Sequence, residues 1–412
     1  METKEYTIKT INELCTKITD GSHFSPEHDE NGVYPMYSSK DMLYDGFDDS
    51  DVKRISEPVY KKLVKQDCRP LKNDILIIKD GNSYLKRIFK INTDIDAVIL
   101  SSIAILRPNV KIIDPDFFKY LLRSDSIRNA MANYVSGAAI PRIVLKDFKK
   151  MKLEFISSMK AQQKIASILS AYDDLIQNYK KQIEALQTTA SELYKEWFVR
   201  FRFPGYKNSR FENGIPEGWK IERIGNIGEV IGGGTPSTEN EEYWDGDIPW
   251  LSPVDLSDNT NVYVSRGGKN ITKLGLQKSS AKMMPKDTVL LSSRAPVGYV
   301  ALAKNPICTN QGFKSVVCNT SVIQPIYLYF YFRMNKNYLQ SIASGATFPE
   351  LSGSMMKKLK VLLPQMELQK EFSKKANIFI SKAELLSEQI TNLTQQRDLL
   401  LPRLMRGALE VH

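Results

Sequence analysis

At 412 residues, with 42% hydrophobic and 25% charged residues, the chain has room for two or three domains that each bury a core. No apolar run reaches the ~18 residues a bilayer requires, and Met1-Glu2-Thr3-Lys4-Glu5 lacks a signal-peptide core, so a cytoplasmic protein without membrane contact is expected. The net charge of +10 points weakly to a polyanion, while three histidines and four cysteines (Cys15, Cys68, Cys308, Cys318) without metal-ligand spacing argue against metal sites, a disulfide framework and histidine-based catalysis.

From the amino end, short apolar runs at Leu76–Ile78 and Val98–Leu106 read as buried strands among turn residues. A long helical pattern follows, with apolar residues at Ile165, Ile168, Tyr172, Leu175, Tyr179, Ile183, Leu186, Ala190, Leu193 and Trp197, every step being three or four. Phe203-Pro204-Gly205-Tyr206-Lys207-Asn208-Ser209 is a turn-rich linker, and a second mixed stretch opens at Gly218-Trp219-Lys220. It has loops at Gly232–Pro236 and Ala295–Gly298 and strands at Val289–Leu291 and Ser315–Val317. A second seam closes the chain: Phe372, Ala376, Phe379, Ala383, Leu386, Ile390, Leu393, Leu400 and Leu404, broken once by Arg397. A helix of ~38 residues is ~57 Å long, more than one face of such a domain can cover, so the two seams are expected to pair antiparallel.

The two halves repeat each other. Val135-Ser136-Gly137-Ala138-Ala139-Ile140-Pro141 returns as Ala343-Ser344-Gly345-Ala346-Thr347-Phe348-Pro349, Tyr34-Pro35-Met36-Tyr37-Ser38 as Ile248-Pro249-Trp250-Leu251-Ser252, and Asp74-Ile75-Leu76-Ile77-Ile78 as Asp287-Thr288-Val289-Leu290-Leu291. The shifts, 208, 214 and 213, drift as loop insertions would make them drift. That is too long for a solenoid repeat and fits a duplicated domain with pseudo-two-fold symmetry. The expected fold is α+β: two mixed α/β domains, 1–157 and 218–363, separated by long antiparallel coiled-coil helices at 158–200 and 364–406, with a linker at 201–217.

Catalytic signatures are weak. Gly232–Ser237 lacks the Lys-Ser/Thr of a phosphate-binding loop and reads as a turn. Asn305-Pro306-Ile307-Cys308 lacks the second proline and the aromatic that would stack a flipped base. Asp116 with Asp147 and Lys149 mimics a metal-nuclease pattern, but the second copy has Met355 where the first has Asp147. No cofactor and no metal are expected.

Against this background Trp250-Leu251-Ser252-Pro253-Val254-Asp255, Ser292-Ser293-Arg294-Ala295-Pro296-Val297-Gly298-Tyr299 and Asn310-Gln311-Gly312-Phe313-Lys314-Ser315 resemble motifs of type I restriction–modification specificity subunits. So do Ala161-Gln162-Gln163-Lys164-Ile165 and Leu368-Gln369-Lys370-Glu371-Phe372 at the heads of the two helices. The first copy departs, with Lys79-Asp80-Gly81-Asn82 where Ser-Ser-Arg-Ala-Pro would stand. The resemblance implies a non-catalytic subunit with two target-recognition domains, each reading half of a split, asymmetric DNA sequence, with the helices as ruler. It also implies two methyltransferase subunits docked on those helices, with restriction–translocase subunits added for cleavage.

Contact with double-stranded DNA is expected from exposed loop residues: Thr19, Ser22, Ser38, Ser39, Lys40, Lys79 and Arg142 in the first copy, and Thr235, Ser252, Ser293, Arg294, Lys314 and Thr347 in the second. Lysine and arginine suit phosphates, and arginine can also fork onto guanine. Two other classes compete: the recognition part of a combined methyltransferase–nuclease, which lacks its motifs here, and a coiled-coil scaffold without DNA binding.

Overall fold

The computed structural model describes residues 5–81, 84–133, 135–136, 142–257, 261–345 and 349–407. The backbone forms two compact units, the first made of residues up to Ile176 together with those from Asn392, the second of Gln177–Thr391.

In the first unit four antiparallel strands, β1 (Cys15–Asp20), β2 (Ile75–Ile78), β3 (Ile88–Lys90) and β4 (Ile103–Pro108), lie in the order β1-β4-β2-β3. The Ile-Leu-Ile-Ile run of β2 is apolar throughout because both its faces are covered. Ile75 and Ile77 enter one core beside Phe117, Phe118 and Leu121 of helix α1 (Pro115–Arg123), while Leu76 and Ile78 enter another with Ile103 and Ile105. The α1 helix starts where it does because the Asp114 carboxylate accepts from Phe117 N at 2.9 Å and Pro115 takes the first turn. Tyr34–Tyr37 forms a smaller sheet with Lys53–Ile55 and, in parallel, Val98–Ile99. Tyr6–Thr10 pairs with Lys152–Ile156, just ahead of the long helix α2 (Met159–Tyr194).

The second unit repeats this plan. Strands β5 (Gly228–Gly232), β6 (Val289–Leu291), β7 (Val300–Ala303) and β8 (Lys314–Cys318) lie in the order β5-β8-β6-β7, with Tyr263–Val264 added in parallel on β7. Trp244–Leu251 pairs with Lys269–Ile271 and, in parallel, Cys308–Thr309. Helix α3 (Pro325–Met334) stands for α1, and Lys220–Arg223 pairs with Lys360–Leu363 ahead of the long helix α4 (Met366–Met405).

The register corrects one alignment. Asn73 and Asp287 share positive φ values, 71° and 64°, and each donates its N–H at 2.8 Å to the neighbouring strand, to Ile91 O and Ala303 O. Asp287 therefore corresponds to Asn73, and Ile75 to Val289. Asp74 is buried in a two-pronged pair with Arg107, both contacts 2.9 Å, where the second unit has Thr288 bonded to Pro285 O.

The long helices pack antiparallel within each unit. In the first, Ile165 and Leu169 share a core with Leu404. In the second, Ile183 packs with Ala383 and Leu386, and Tyr194 with Phe372. The inward stripe of α2 differs from the expected one in its first half: Leu175 is exposed, whereas Gln162, Leu169, Asp173 and Ile176 face in. An apolar-only pattern steps over Gln162 and Asp173, and both prove to be seam residues. Arg397, the break in the second seam, is likewise buried.

Gln162 and Gln369 have one job in both units. Gln162 Oε1 accepts from Asp114 N at 2.8 Å and its Nε2 donates to Ile156 O at 2.9 Å. Gln369 Oε1 accepts from Gln324 N at 3.0 Å and its Nε2 donates to Pro364 O at 2.9 Å. Each ties the head of a long helix to the start of a sheet-covering helix and satisfies backbone groups that burial would otherwise strand.

Asp173 is the centre of a buried ionic cluster. Its Oδ2 accepts from Tyr120 Oη at 2.6 Å and Arg123 Nη1 at 3.2 Å and lies 3.4 Å from Lys119 Nζ; its Oδ1 accepts from Arg397 Nη1 at 2.6 Å. Burial alone would raise the Asp173 carboxyl, but Lys119, the Tyr120 hydroxyl, Arg123 and Arg397 outweigh it and hold it below the usual carboxylate range. Among the described residues no helix is long and apolar enough to cross a membrane.

Candidate nucleic-acid interface

Because the sheets are antiparallel, β1 and β2 end, and β3 and β4 begin, at the same edge; β5 and β6 end, and β7 and β8 begin, likewise. The loops at that edge are stitched together by backbone hydrogen bonds. In the first unit Ser22 N donates to Ile99 O (2.8 Å), Lys79 N to Ser102 O (3.0 Å) and Ile143 N to Lys79 O (3.0 Å). In the second, Ser293 N donates to Gly312 O (2.8 Å) and Leu351 N to Ser293 O (2.9 Å).

Several expected contact residues turn out to hold this framework. Ser38 presents its hydroxyl and N–H to Asp41 Oδ2 at 2.8 and 2.7 Å; Ser252 does the same to Asp255 Oδ2 at 2.8 and 2.7 Å. Both serines are local caps, which explains why the motif recurs. Ser22 is buried, donating to Phe24 O at 2.6 Å, and Ser293 is buried, donating to Gly312 O at 3.1 Å. Thr19 lies within β1 with its hydroxyl 3.4 Å from Asp20 O, and Ser39 N donates to Ser102 Oγ at 3.2 Å. Thr235 donates to Gln311 Oε1 across two loops. Gly233, two residues earlier, is required there, since a Cβ would stand 2.0 Å from Asn310 O. Thr347, like residues 137–141 and 346–348 of the repeated motif and Asn82, lies outside the described residues.

Four of the five charged nominees fall into two clusters. In the first unit Lys79 is only 3% exposed, with Nζ 3.2 Å from both Asp20 and Asp80; two carboxylates make that burial tolerable. Arg142 stands outside it, half-exposed, with Nε 3.5 Å from Asp80 Oδ1, and His23 lies 3.3 Å from Asp20. Lys40 is exposed between Asp41 and Asp51, 3.7 Å from each. In the second unit Lys314 Nζ is 3.3 Å from Glu350 Oε1, and Arg294 Nη1 is 3.8 Å from Glu350 Oε2. A mostly apolar cavity of about 560 Å³ opens beside Arg294, lined by Ala295, Pro296, Val297, Gln340 and Pro349.

The shared hydrogen bonds make Lys79 the counterpart of Ser293, hence Asp80 of Arg294, and Arg142 of Glu350. The three carboxylates Asp20, Asp80 and Glu350 escaped a search for arginine, lysine and hydroxyl groups. The signal was present in the repeat: at shifts of 214 and 208, two positions reverse charge together.

Other chemistry finds little support. Asp116 is engaged by Lys90 at 2.6 Å, Asp147 is exposed, and no group of three or more potential metal ligands occurs among the described residues. All four cysteines are free, and burial pushes the Cys308 and Cys318 thiols up to about 12, which keeps them protonated.

A family model described as the type I restriction modification DNA specificity domain matches twice, over residues 3–188 and 216–395. The MjaIX specificity subunit of Methanocaldococcus jannaschii, a type I restriction enzyme subunit, is 44% identical over 179 residues, covering 43% of this chain but only 41% of the relative. The HindI specificity subunit of Haemophilus influenzae is 26% identical over 405 residues, covering 82% of this chain and 86% of that one. The crystal structure of a type I restriction-modification S subunit from M. genitalium shares the fold, with a TM-score of 0.59 at 18% identity over 98% of this chain and 97% of that one.

Proposed function

The chain belongs to the type I restriction modification DNA specificity family, whose domain it carries twice, and from that premise we propose that it is the sequence-reading subunit of a type I restriction–modification complex. It binds double-stranded DNA through the loop edges of its two sheets, one half-site to each unit, and the long helices set the unread gap. It carries out no chemistry. Two methyltransferase subunits modify adenine at the site it selects, and restriction–translocase subunits cleave unmodified DNA, all in the cytoplasm. The observation that carries this reading is the double family match over the same sheet topology, with differing polar loops at equivalent edges.

Among the contact candidates the division of labour is physical. In this reading Lys40 meets a phosphate, Arg142, Arg294 and Lys314 meet phosphates or base edges, and Ser22, Ser38, Ser252 and Ser293 shape the loops that carry them. A genome-wide map of methylated bases in the host, with and without this gene, tests the proposal. Loss of one split motif with an unspecified gap is the expected result; an unchanged map in a host whose methyltransferase is active would refute it.

A further inference from the structure

The two loop edges share a backbone frame but carry one ion pair in opposite senses. In the second unit the guanidinium (Arg294) sits on the turn after β6 and the carboxylate (Glu350) on the returning segment. In the first unit the carboxylate (Asp80) sits on the turn after β2 and the guanidinium (Arg142) on the returning strand. Equivalence does not rest on sequence spacing alone. Lys79 and Ser293 each receive an N–H from the residue after the returning partner, Ile143 or Leu351, at 3.0 and 2.9 Å.

In each pair the guanidinium is partly exposed beside its carboxylate. Arg294 and Glu350 are 3.8 Å apart, beyond hydrogen-bond length, and both are 38% exposed. Arg142 is 54% exposed and 3.5 Å from Asp80. The Asp80 side chain is 23% exposed, with Oδ1 buried 3.5 Å from Arg142 Nε and Oδ2 3.2 Å from Lys79 Nζ. By contrast Lys79, pinned between two carboxylates, cannot turn outward without exposing both.

A guanidinium fork fits guanine O6 and N7, and a carboxylate accepts from the cytosine amino group. A G·C pair therefore offers in the major groove the complement of an arginine beside a carboxylate, and reversing the two side chains suits the pair turned over. We propose that Arg294–Glu350 and Asp80–Arg142 are specificity-determining pairs, each reading one G·C base pair. In the frame of its own unit, each takes that base pair in the orientation opposite to the other. The inference rests on the DNA-reading function above and adds residues, a base pair and a polarity to it.

The test uses the full chain co-purified with the subunits that accompany it in its host, and a randomised duplex DNA library from which bound sequences are selected. Wild type should enrich two separated blocks of bases. In Arg294→Asp/Glu350→Arg, one position of one block should invert from G·C to C·G, the wrong orientation being selected against by roughly 5- to 150-fold, with the other block unchanged. Asp80→Arg/Arg142→Asp should do the same in the other block only. Blocks identical to wild type, or a position that merely loses preference, would overturn the proposal. Should a double variant lack the wild-type thermal transition, Arg294→Gln and Arg142→Gln replace it. Each must then abolish guanine preference at one position of its own block, and retained preference overturns the pair as reader. Failure of the underlying function would look different, since wild type itself would enrich no split sequence.

Discussion

The seams of the two units solve one packing problem with opposite chemistry. Counting from the tethering glutamines Gln162 and Gln369, Asp173 in the first unit falls where Ile380 lies in the second, and Arg397 where Ala190 lies. Counting from the starts of α1 and α3, Lys119 and Tyr120 correspond to Tyr329 and Phe330. One unit thus buries a carboxylate among Lys119, Arg123 and Arg397, with the Tyr44 ring 4.0 Å from Arg123 and 4.8 Å from Arg397. The other buries Tyr194, Phe198, Phe330 and Phe372, with ring centroids 5.0 Å apart for Phe198–Phe372 and 5.8 Å for Tyr194–Phe330. This fold asks only that inward positions be filled and satisfied. An ionic filling adds what an apolar one lacks, a directional constraint on which residues of the two helices meet.

Emptying each centre has the largest expected effect. Asp173→Ala removes the carboxylate that Lys119, Arg123 and Arg397 share, leaving them Asp116, Asp45 and Asp398 at 4.0, 2.6 and 2.8 Å, and should cost about 3–5 kcal/mol in urea unfolding; Phe372→Ala should cost about 3–5 kcal/mol in the second unit by leaving a cavity. Acidity then separates them. The Asp173 carboxyl is held below its unfolded value of about 3.9, so its stabilisation is complete above that pH and disappears as pH falls through the lower folded value. The deficit of Asp173→Asn should shrink over that acid range while that of Phe372→Ala stays. A deficit in Asp173→Asn that persists undiminished in strong acid would mean the cluster is not held by charge.

Smaller effects test sameness rather than difference. Gln162→Ala and Gln369→Ala each strand one backbone N–H and one carbonyl, so each should lose about 1–3 kcal/mol. A loss at one site only would deny the glutamines a common role. Ser38→Ala and Ser252→Ala should each lose about 1 kcal/mol as cap removal does, with the selected DNA bases unaltered. Altered bases would return these serines to the reading surface.

Much of this was legible in the chain. The duplication follows from the recurring motifs, and the buried strands Ile75–Ile78 and Val289–Leu291 and the antiparallel helices from apolar periodicity, which burial imposes directly. The alignment of Asp74 with Asp287 missed by one residue, because identity of side chain is weaker evidence than backbone conformation, and Asn73 serves the left-handed position as well as Asp287 does. The stripe through Leu175 missed because Gln162 and Asp173 do not look like seam residues. A polar side chain can face inward once partners far along the chain satisfy it, and sequence spacing does not display those partners.

The recognition edge shows the same boundary. Which loops belong together was implied by the repeated motifs, and the family by their order along the chain. That Ser38 and Ser252 cap, that Lys79 is buried while Arg142 and Arg294 stand half-exposed, and that two ion pairs sit reversed in one frame were decided by tertiary structure. Local periodicities and the duplication are written in the chain, because these are properties of neighbouring residues and of order. The fold alone decided which side chains remain available to a partner, because availability depends on charges and backbone groups brought together from distant parts of the chain.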